Sequence, residues 1–150
     1  MRVLPPDRRL RLNLHCDGAA RGNPGPAGVG VHVTNEHGRP VAEIAEGIGI
    51  ATNNVAEYTA AIRGLERARD LGGTEVHLRS DSKLLIEQLA GRWKIKNKNL
   101  IVLHREVRAL VDVFDHVTFE HVPRELNVEA DRLANVGVDA WLAAGGTTRA

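Results

Sequence analysis

Two aspartates in this sequence follow segments that alternate apolar and polar side chains, the pattern of half-buried β-strands. RLNLHCD, residues 11–17, ends on Asp17, and TEVHLRSD, residues 74–81, ends on Asp81. We therefore predict two strands that each end on a carboxylate, and parallel, adjacent strands would bring both to one end of the sheet. The alternative for Asp17 is an exposed aspartate that opens an ordinary hairpin.

Two helical segments each place an acid near the edge of an apolar face. Residues 52–54 are a helix-start signal, and the apolar spacing predicts a helix over 55–71, with Glu57 at the margin of the apolar face. A final helix is predicted for 127–142, with Asp131 at the margin of its apolar face. Four carboxylates from separate parts of the chain could therefore converge.

Converging carboxylates repel one another unless a counter-charge holds them together. A hard divalent cation such as Mg²⁺ meets that need, because it takes oxygen ligands and keeps waters and substrate phosphates in its shell. Two such ions about 3.5–4 Å apart activate a water on one side of a phosphodiester and stabilise the leaving oxygen on the other. The four acids therefore predict a metal-dependent nuclease.

The other segments supply a sheet that can carry these acids. The order is three strands, a helix, a strand, two helices, a strand and a helix, which predicts an α/β fold with a mixed sheet. The first three strands form an antiparallel meander. The remaining predicted elements are strands at 29–34, 41–50 and 117–119, a hairpin turn at 35–40, helices at 83–90 and 100–114, and Asn127 as the cap of the final helix.

Composition limits the class of protein. The chain has 150 residues, a net charge of +1 and 43% hydrophobic residues, which fits a single globular domain with a core of about 10–142 and loose termini at 1–9 and 145–150. The single cysteine, Cys16, excludes an internal disulfide and any multi-cysteine metal site. No apolar run is long enough for a signal peptide or a membrane span, so we expect a cytoplasmic protein without a membrane partner.

Four blocks of sequence together resemble type 1 ribonuclease H from about Leu10 to Leu142, in the compact form found in archaea and some bacteria. The blocks are DGAARGNPGPAG, ATNNVAEYTA, LRSDSKL followed by RWKIKNKNL, and HVPRELNVEADRLAN. The resemblance implies a ribonuclease H-like fold with a five-stranded mixed sheet flanked by helices.

The same resemblance implies an activity and its machinery. Enzymes of this family cleave the RNA strand of RNA/DNA hybrids with Mg²⁺ or Mn²⁺, two ions being bound with substrate, and leave 5′-phosphate and 3′-hydroxyl ends. The catalytic, metal-binding quartet maps onto Asp17, Glu57, Asp81 and Asp131. The partner implied is an RNA/DNA hybrid, and we expect a monomer.

The resemblance also implies contacts with substrate. Asn23, Asn53 and Asn54 would lie in the minor groove of the hybrid, where an asparagine amide can both donate to and accept from a 2′-hydroxyl. Thr52 and Asn97 resemble a pocket for a phosphate of the DNA strand. From residue type alone, Asn23 is a turn residue and either Asn53 or Asn54 is a helix cap, and one residue can serve both purposes.

The densest basic patch of the chain is RWKIKNKN, with Trp93, Lys94, Lys96 and Lys98. Such a run is often only a solvated surface. The resemblance favours contact with phosphates of the DNA strand and stacking on Trp93. Many members of the family carry a longer basic helix here, whereas this chain has a short loop, so hybrid affinity is expected to be modest.

A histidine before the last acid assists the leaving group or product release in many members of the family. Two residues of this chain are candidates for that position. His121 has the closer sequence spacing, but alternation places it in the fifth strand, and Arg124 follows Pro123 in a loop. We favour Arg124, which would support the phosphate electrostatically, because an arginine does not give up its proton.

The remaining histidines show no spacing typical of metal ligands, either with each other or with Cys16, and are interpreted as surface or core-margin residues. They are His15, His32, His37, His77, His104 and His116.

Two other functions remain open. The first is a hybrid-binding module without cleavage, which the presence of all four acids argues against. The second is another metal-dependent phosphoryl-transfer enzyme on the same fold, which the asparagines suited to 2′-hydroxyl contact argue against.

Overall fold

The computed structural model describes residues 9–146, and the sheet it contains has five strands. The expectation of loose termini falls mostly outside this range. The strands are β1 (Arg11–Ala20), β2 (Gly25–Asn35), β3 (Pro40–Ala51), β4 (Glu75–Ser80) and β5 (His116–His121). The helices are α1 (Asn53–Asp70), α2 (Lys83–Leu89), α3 (Lys98–Val111) and α4 (Val128–Ala143), with a 3₁₀ turn at Arg124–Leu126 before α4.

The sheet has the strand order β3-β2-β1-β4-β5. Strands β1, β2 and β3 are antiparallel neighbours, and β4 and β5 run parallel to β1. The last pair in the β1–β4 register is Cys16 with Ser80, so Asp17 and Asp81 both follow directly after it. This confirms the prediction of a mixed sheet with both acids at one end.

Strand β1 does not end at Asp17, and this part of the sequence-based prediction is wrong. It continues to Ala20, with Gly18 paired to Val29 and Ala20 paired to Ala27, so β2 begins at Gly25 and not at Val29. Glycine and alanine fit within a paired strand, and the turn needs only residues 21–24. Asp17 therefore lies inside a strand whose backbone is fixed by β2 on one side, while β4 has already ended on the other.

The main core lies between one face of the sheet and helices α1 and α3. Leu12, Leu14 and Cys16 of β1 are fully or almost fully buried there, as are alternate valines of β2. Helix α3 spans Lys98–Val111 and not the predicted 100–114. Phe114 is nevertheless buried, because the chain after the helix still packs on the core.

Helix α4 packs on the opposite face of the sheet, against β2 and β3. The approach is close because β2 presents glycines to it: a Cβ atom at Gly30 would overlap the carbonyl oxygen of Ala130, and one at Gly28 would crowd the backbone at Ala134. Glycine is required here for lack of space. The position of α4, and with it that of Asp131, depends on these two residues.

Among residues 9–146, no helix combines the length and the apolar composition that a membrane span requires.

Substituting Gly30→Ala should lower the free energy of unfolding by about 1–3 kcal/mol, because the added methyl meets helix backbone that cannot rotate away. Gly64→Ala is the matched control. A methyl at Gly64 meets only side-chain atoms of Cys16, Leu14 and Val31 at 3.2–3.3 Å, and alanine favours the helix by about 1 kcal/mol. Urea unfolding of both variants makes the comparison, and equal losses would contradict this account of α4 packing.

Candidate active site

Three carboxylates from different elements meet at the end of the β1–β4 pair. One oxygen from each of Asp17, Glu57 and Asp81 can be chosen so that all three lie within 4.8 Å of one another. Asp17 is 6% exposed and Glu57 is 3% exposed. The predicted convergence of these three acids is therefore present in the structure.

Glu57 reaches this point because α1 packs tightly on Gly18. A Cβ atom at Gly18 would overlap the backbone of Ala56 and Glu57, so no other residue type allows this approach. The Gly18 N–H then donates to Glu57 Oε1 at 2.8 Å, and the Ser80 hydroxyl donates to Glu57 Oε2 at 3.3 Å. Glu57, predicted at the margin of the apolar face, is thus almost fully buried and held by hydrogen bonds to both oxygens.

Asp131 lies in the first turn of α4 and is exposed, but it lines the same cavity as the other three acids. The cavity has a volume of about 310 Å³. Its lining residues are Asp17, Gly18, Ala19, Ala20, Asn53, Glu57, Asp81, Ser82, Arg124 and Asp131.

Asn127 is a site residue whose role was missed at the sequence level. It precedes α4 as predicted, but its side chain makes no capping bond. The side chain is 1% exposed, and its Nδ2 donates to the Cys16 carbonyl oxygen at 2.9 Å. Asn127 therefore ties the start of α4 to the residue before Asp17, a long-range contact that no local sequence signal could indicate.

The electrostatics of the site favour a bound cation. Burial, and then the charges of Glu57 and Asp81, raise the pKa of Asp17 above its usual range. Burial also raises the pKa of Glu57, although the Gly18 N–H opposes this by stabilising the carboxylate. Since the acidic donors are all oxygens, the site fits a hard divalent cation.

Arg124 and His121 both lie beside Asp81. The Nε of Arg124 is 3.8 Å from Asp81 Oδ2, and its side chain is 87% exposed and lines the cavity. His121 is the last residue of β5, and its Nε2 is 3.3 Å from the Asp81 carbonyl oxygen. Of the two, Arg124 is the one whose charge faces the carboxylates.

The asparagine-rich segment lies at the mouth of the cavity. Asn23 Oδ1 accepts from the Asn53 N–H at 3.0 Å, which joins the glycine-rich loop to the start of α1. The helix cap is Thr52, whose hydroxyl oxygen accepts from the Val55 N–H at 3.2 Å, so neither Asn53 nor Asn54 is the cap. Both of these asparagines are exposed, and Asn53 lines the cavity.

The basic loop between α2 and α3 is exposed and short, as expected. Trp93 is 44% exposed, with the Lys83 Nζ 5.9 Å from its ring centroid. Two hydrogen bonds join the loop to the core. The buried Tyr58 hydroxyl donates to Gln88 Oε1 at 2.6 Å, and Gln88 Nε2 donates to the Lys94 carbonyl oxygen at 3.1 Å. Lys94 is thereby fixed through its backbone while its side chain stays free.

Asn97 ends this loop and begins α3. Its Oδ1 accepts from the backbone N–H groups of Asn99 and Leu100 at 2.9 and 3.2 Å. A second cavity, of about 590 Å³, lies between the start of α1 and α3. Its lining residues are Pro24, Ile50, Ala51, Thr52, Val55, Asn99, Val102 and Leu103.

Known proteins are similar to this chain over most of its length. A family model described as reverse transcriptase-like matches residues 15–137. Ribonuclease HI of Halobacterium salinarum is 45% identical over 137 residues, which cover 91% of this chain and 69% of the relative. The chain belongs to the type 1 ribonuclease H family.

A second relative of this ribonuclease H chain is much longer than the chain itself. It is a bifunctional protein of Mycobacterium tuberculosis, 48% identical over 132 residues that cover 87% of this chain. The match spans only 36% of the mycobacterial protein. The structure of that protein's N-terminal RNase H domain has a TM-score of 0.87 at 44% identity, over 91% of this chain and 99% of that one.

Two further solved structures share the ribonuclease H fold. RNase H1 of Halobacterium salinarum has a TM-score of 0.83 at 44% identity, over 88% of this chain and 98% of that one. LC11-RNase H1 in complex with an RNA/DNA hybrid has a TM-score of 0.82 at 39% identity, over 89% of this chain and 99% of that one.

Removing one of the crowded charges in this ribonuclease H should stabilise the metal-free protein. In EDTA near neutral pH, Asp17→Asn is expected to raise the free energy of unfolding by about 1–3 kcal/mol, because burial and like charge disfavour the ionised Asp17. The folded-state pKa lies above the unfolded one, so this penalty is absent below about pH 4 and grows as the pH rises. Urea unfolding at several pH values measures it.

Asp115→Asn, at an exposed position, is the control and should change stability little at any pH. Adding Mg²⁺ or Mn²⁺ should raise the melting temperature of the wild type more than that of Asp17→Asn. An Asp17→Asn protein less stable than the wild type in EDTA at neutral pH would refute the electrostatic account.

Proposed function

We propose that this chain hydrolyses the RNA strand of RNA/DNA hybrids in a reaction that depends on Mg²⁺ or Mn²⁺, with two ions bound when substrate is present. The products would carry 5′-phosphate and 3′-hydroxyl ends. The observation that carries the proposal is the convergence of Asp17, Glu57 and Asp81, with Asp131, around one open cavity. Family membership and the hybrid-bound neighbour support it.

The four acids would hold the metal. When bound, the ions would neutralise the carboxylates and make a water nucleophilic at neutral pH. The protein's own part is to keep the acids in place: the Gly18 N–H and the Ser80 hydroxyl fix both oxygens of Glu57, and Asn127 fixes α4 beside β1. Arg124 adds a positive charge at the open side, where the scissile phosphate would lie.

The rim of the cavity supplies groups suited to telling RNA from DNA. Asn53 lines the cavity, and Asn23 and Asn54 lie near it in sequence and structure. The side-chain Oδ1 of Asn23 already accepts from the Asn53 N–H, which leaves the amide NH₂ group of Asn23 for donation to a sugar hydroxyl. This supports selection of the strand that carries 2′-hydroxyls.

The basic loop and the start of α1 would contact the DNA strand of the hybrid. Lys94, Lys96 and Lys98 are exposed and suit phosphate contacts, and Trp93 offers an exposed ring for stacking. Thr52 and Asn97 cap their helices with their side chains, so an anion there would meet helix N-termini as well. All these groups come from one chain, and we propose a monomer acting in the cytoplasm.

A single experiment separates this function from its alternatives. A labelled hybrid, duplex RNA and duplex DNA are each incubated with the protein in Mg²⁺ and in EDTA, with Asp131→Asn as the control. We expect the RNA strand of the hybrid to be cleaved in Mg²⁺ but not in EDTA, and to be cleaved little by Asp131→Asn. The products should have 3′-hydroxyl and 5′-phosphate ends that a ligase can rejoin. Duplex DNA should remain intact.

Gel shift of the hybrid without cleavage in Mg²⁺ would instead indicate a binding module. Equal cleavage of duplex DNA would refute the role given to Asn23, Asn53 and Asn54, and would point to another phosphoryl-transfer activity on this fold.

Replacing Arg124 should slow turnover without abolishing it. We expect Arg124→Ala to lower kcat roughly 10- to 100-fold, less than the loss of a buried preorganised donor, because water screens this exposed charge. Asp17→Asn should lose activity entirely in the same assay. Complete loss in Arg124→Ala, measured with the protein shown to be folded by circular dichroism, would contradict a purely electrostatic role.

A further inference from the structure

A second group of possible metal ligands, which shares no residue with the four acids, lies on the side of α4 that faces β2 and β3. It consists of His32 in β2, Glu43 in β3 and Glu129 in the first turn of α4. One donor atom from each can be chosen so that all three lie within 4.8 Å of one another. From this geometry we propose a second cation site, for a transition-metal ion of the Zn²⁺ type, at His32, Glu43 and Glu129.

The fold itself builds this group, since its members are far apart in sequence. His32 and Glu43 are directly paired residues of neighbouring antiparallel strands, so their side chains leave the same face of the sheet side by side. Glu129 comes down onto that face from α4. Sequence spacing does not indicate this group, because His32 has no second ligand at a characteristic spacing.

His15 and His32 each have a ring nitrogen that no hydrogen bond occupies among the described residues. The Nδ1 atoms of His32 and of His15, its cross-strand partner, are both buried, and neither has a hydrogen-bond partner among the described residues. Buried polar atoms are seldom left unpartnered. A cavity of about 290 Å³ adjoins them, and His15, His32 and Glu129 are among its lining residues.

Arg132 places a positive charge between the two glutamates. Its Nη2 is 3.0 Å from Glu129 Oε2 and 3.8 Å from Glu43 Oε1, so it bridges the two glutamates. Among the described residues no hydrogen bond joins Arg132 to His32, whose Nδ1 remains without a partner. A metal ion would replace Arg132 and bind His32 as well.

The donor set determines which ion fits. One imidazole nitrogen and two carboxylates suit Zn²⁺, Co²⁺, Ni²⁺ or Cu²⁺, whereas Mg²⁺ prefers oxygen ligands alone. The two sites would therefore differ in selectivity. An ion at the second site would also link β2, β3 and the start of α4, and so stabilise the fold independently of catalysis.

The test uses Zn²⁺ as the probe and Asp17→Asn as the background, so that the four-acid site competes little. Calorimetric titration should show one Zn²⁺ site, and Zn²⁺ should raise the melting temperature. Adding His32→Ala or Glu43→Gln should weaken Zn²⁺ binding at least tenfold and remove the thermal shift. His37→Ala, an exposed histidine in the β2–β3 turn, is the matched control and should leave both unchanged.

A second variant keeps the proposal testable if those substitutions disturb the sheet. Arg132→Gln retains all three ligands and removes the competing cation, so Zn²⁺ should bind about 3- to 10-fold more tightly, as expected from losing two exposed ion pairs. Unchanged affinity in both His32→Ala and Arg132→Gln would overturn the proposal. Because the readouts are binding and stability, failure of hybrid cleavage would leave this result unaffected.

Discussion

Repulsion among buried carboxylates is the constraint on which the rest of this structure depends. Asp17, Glu57 and Asp81 are held close enough to share a cation, and burial raises the pKa of Asp17 and of Glu57, so that the charges of these two are harder to accommodate. A chain that only needed to be stable would separate them or replace one with an apolar residue. The crowding is therefore best understood as a cost in stability accepted for metal binding.

The fold meets this constraint through backbone geometry more than through counter-charges. Parallel pairing of β1 and β4 aligns Asp17 with Asp81, and the absence of a side chain at Gly18 admits α1, whose Glu57 is then fixed by an N–H donor. The positive charge of Arg124, 3.8 Å from Asp81, is largely exposed and lies at the rim of the cavity. Rigid main chain thus sets the acid positions before any ion arrives.

Much of this arrangement could be predicted from the sequence, because periodicity reports which face of an element is buried. The sequence of elements, the antiparallel meander and the four acids followed from alternation, helical spacing and the family motifs, whereas the parallel pairing of β1 and β4 was only a condition and the place of β5 was not predicted. The errors have local causes: residues 18–20 and 25–28, which were left out of the predicted strands, proved to be paired strand in β1 and β2, and Thr52 proved to be the cap beside two asparagines. Contacts between distant residues, such as Asn127 with Cys16 or His32 with Glu43, had no signal in one sequence.

The hydrogen-bonded chain from Tyr58 through Gln88 to the Lys94 carbonyl has a consequence for how such enzymes can diversify. It ties the base of the 90–97 loop to α1 at Tyr58, the residue that follows Glu57. An insertion in the exposed part of the loop that keeps this anchor can change the loop's length or charge and leave the position of Glu57 unchanged. The length and charge of the loop can therefore change, in evolution or by engineering, without a shift in the acids.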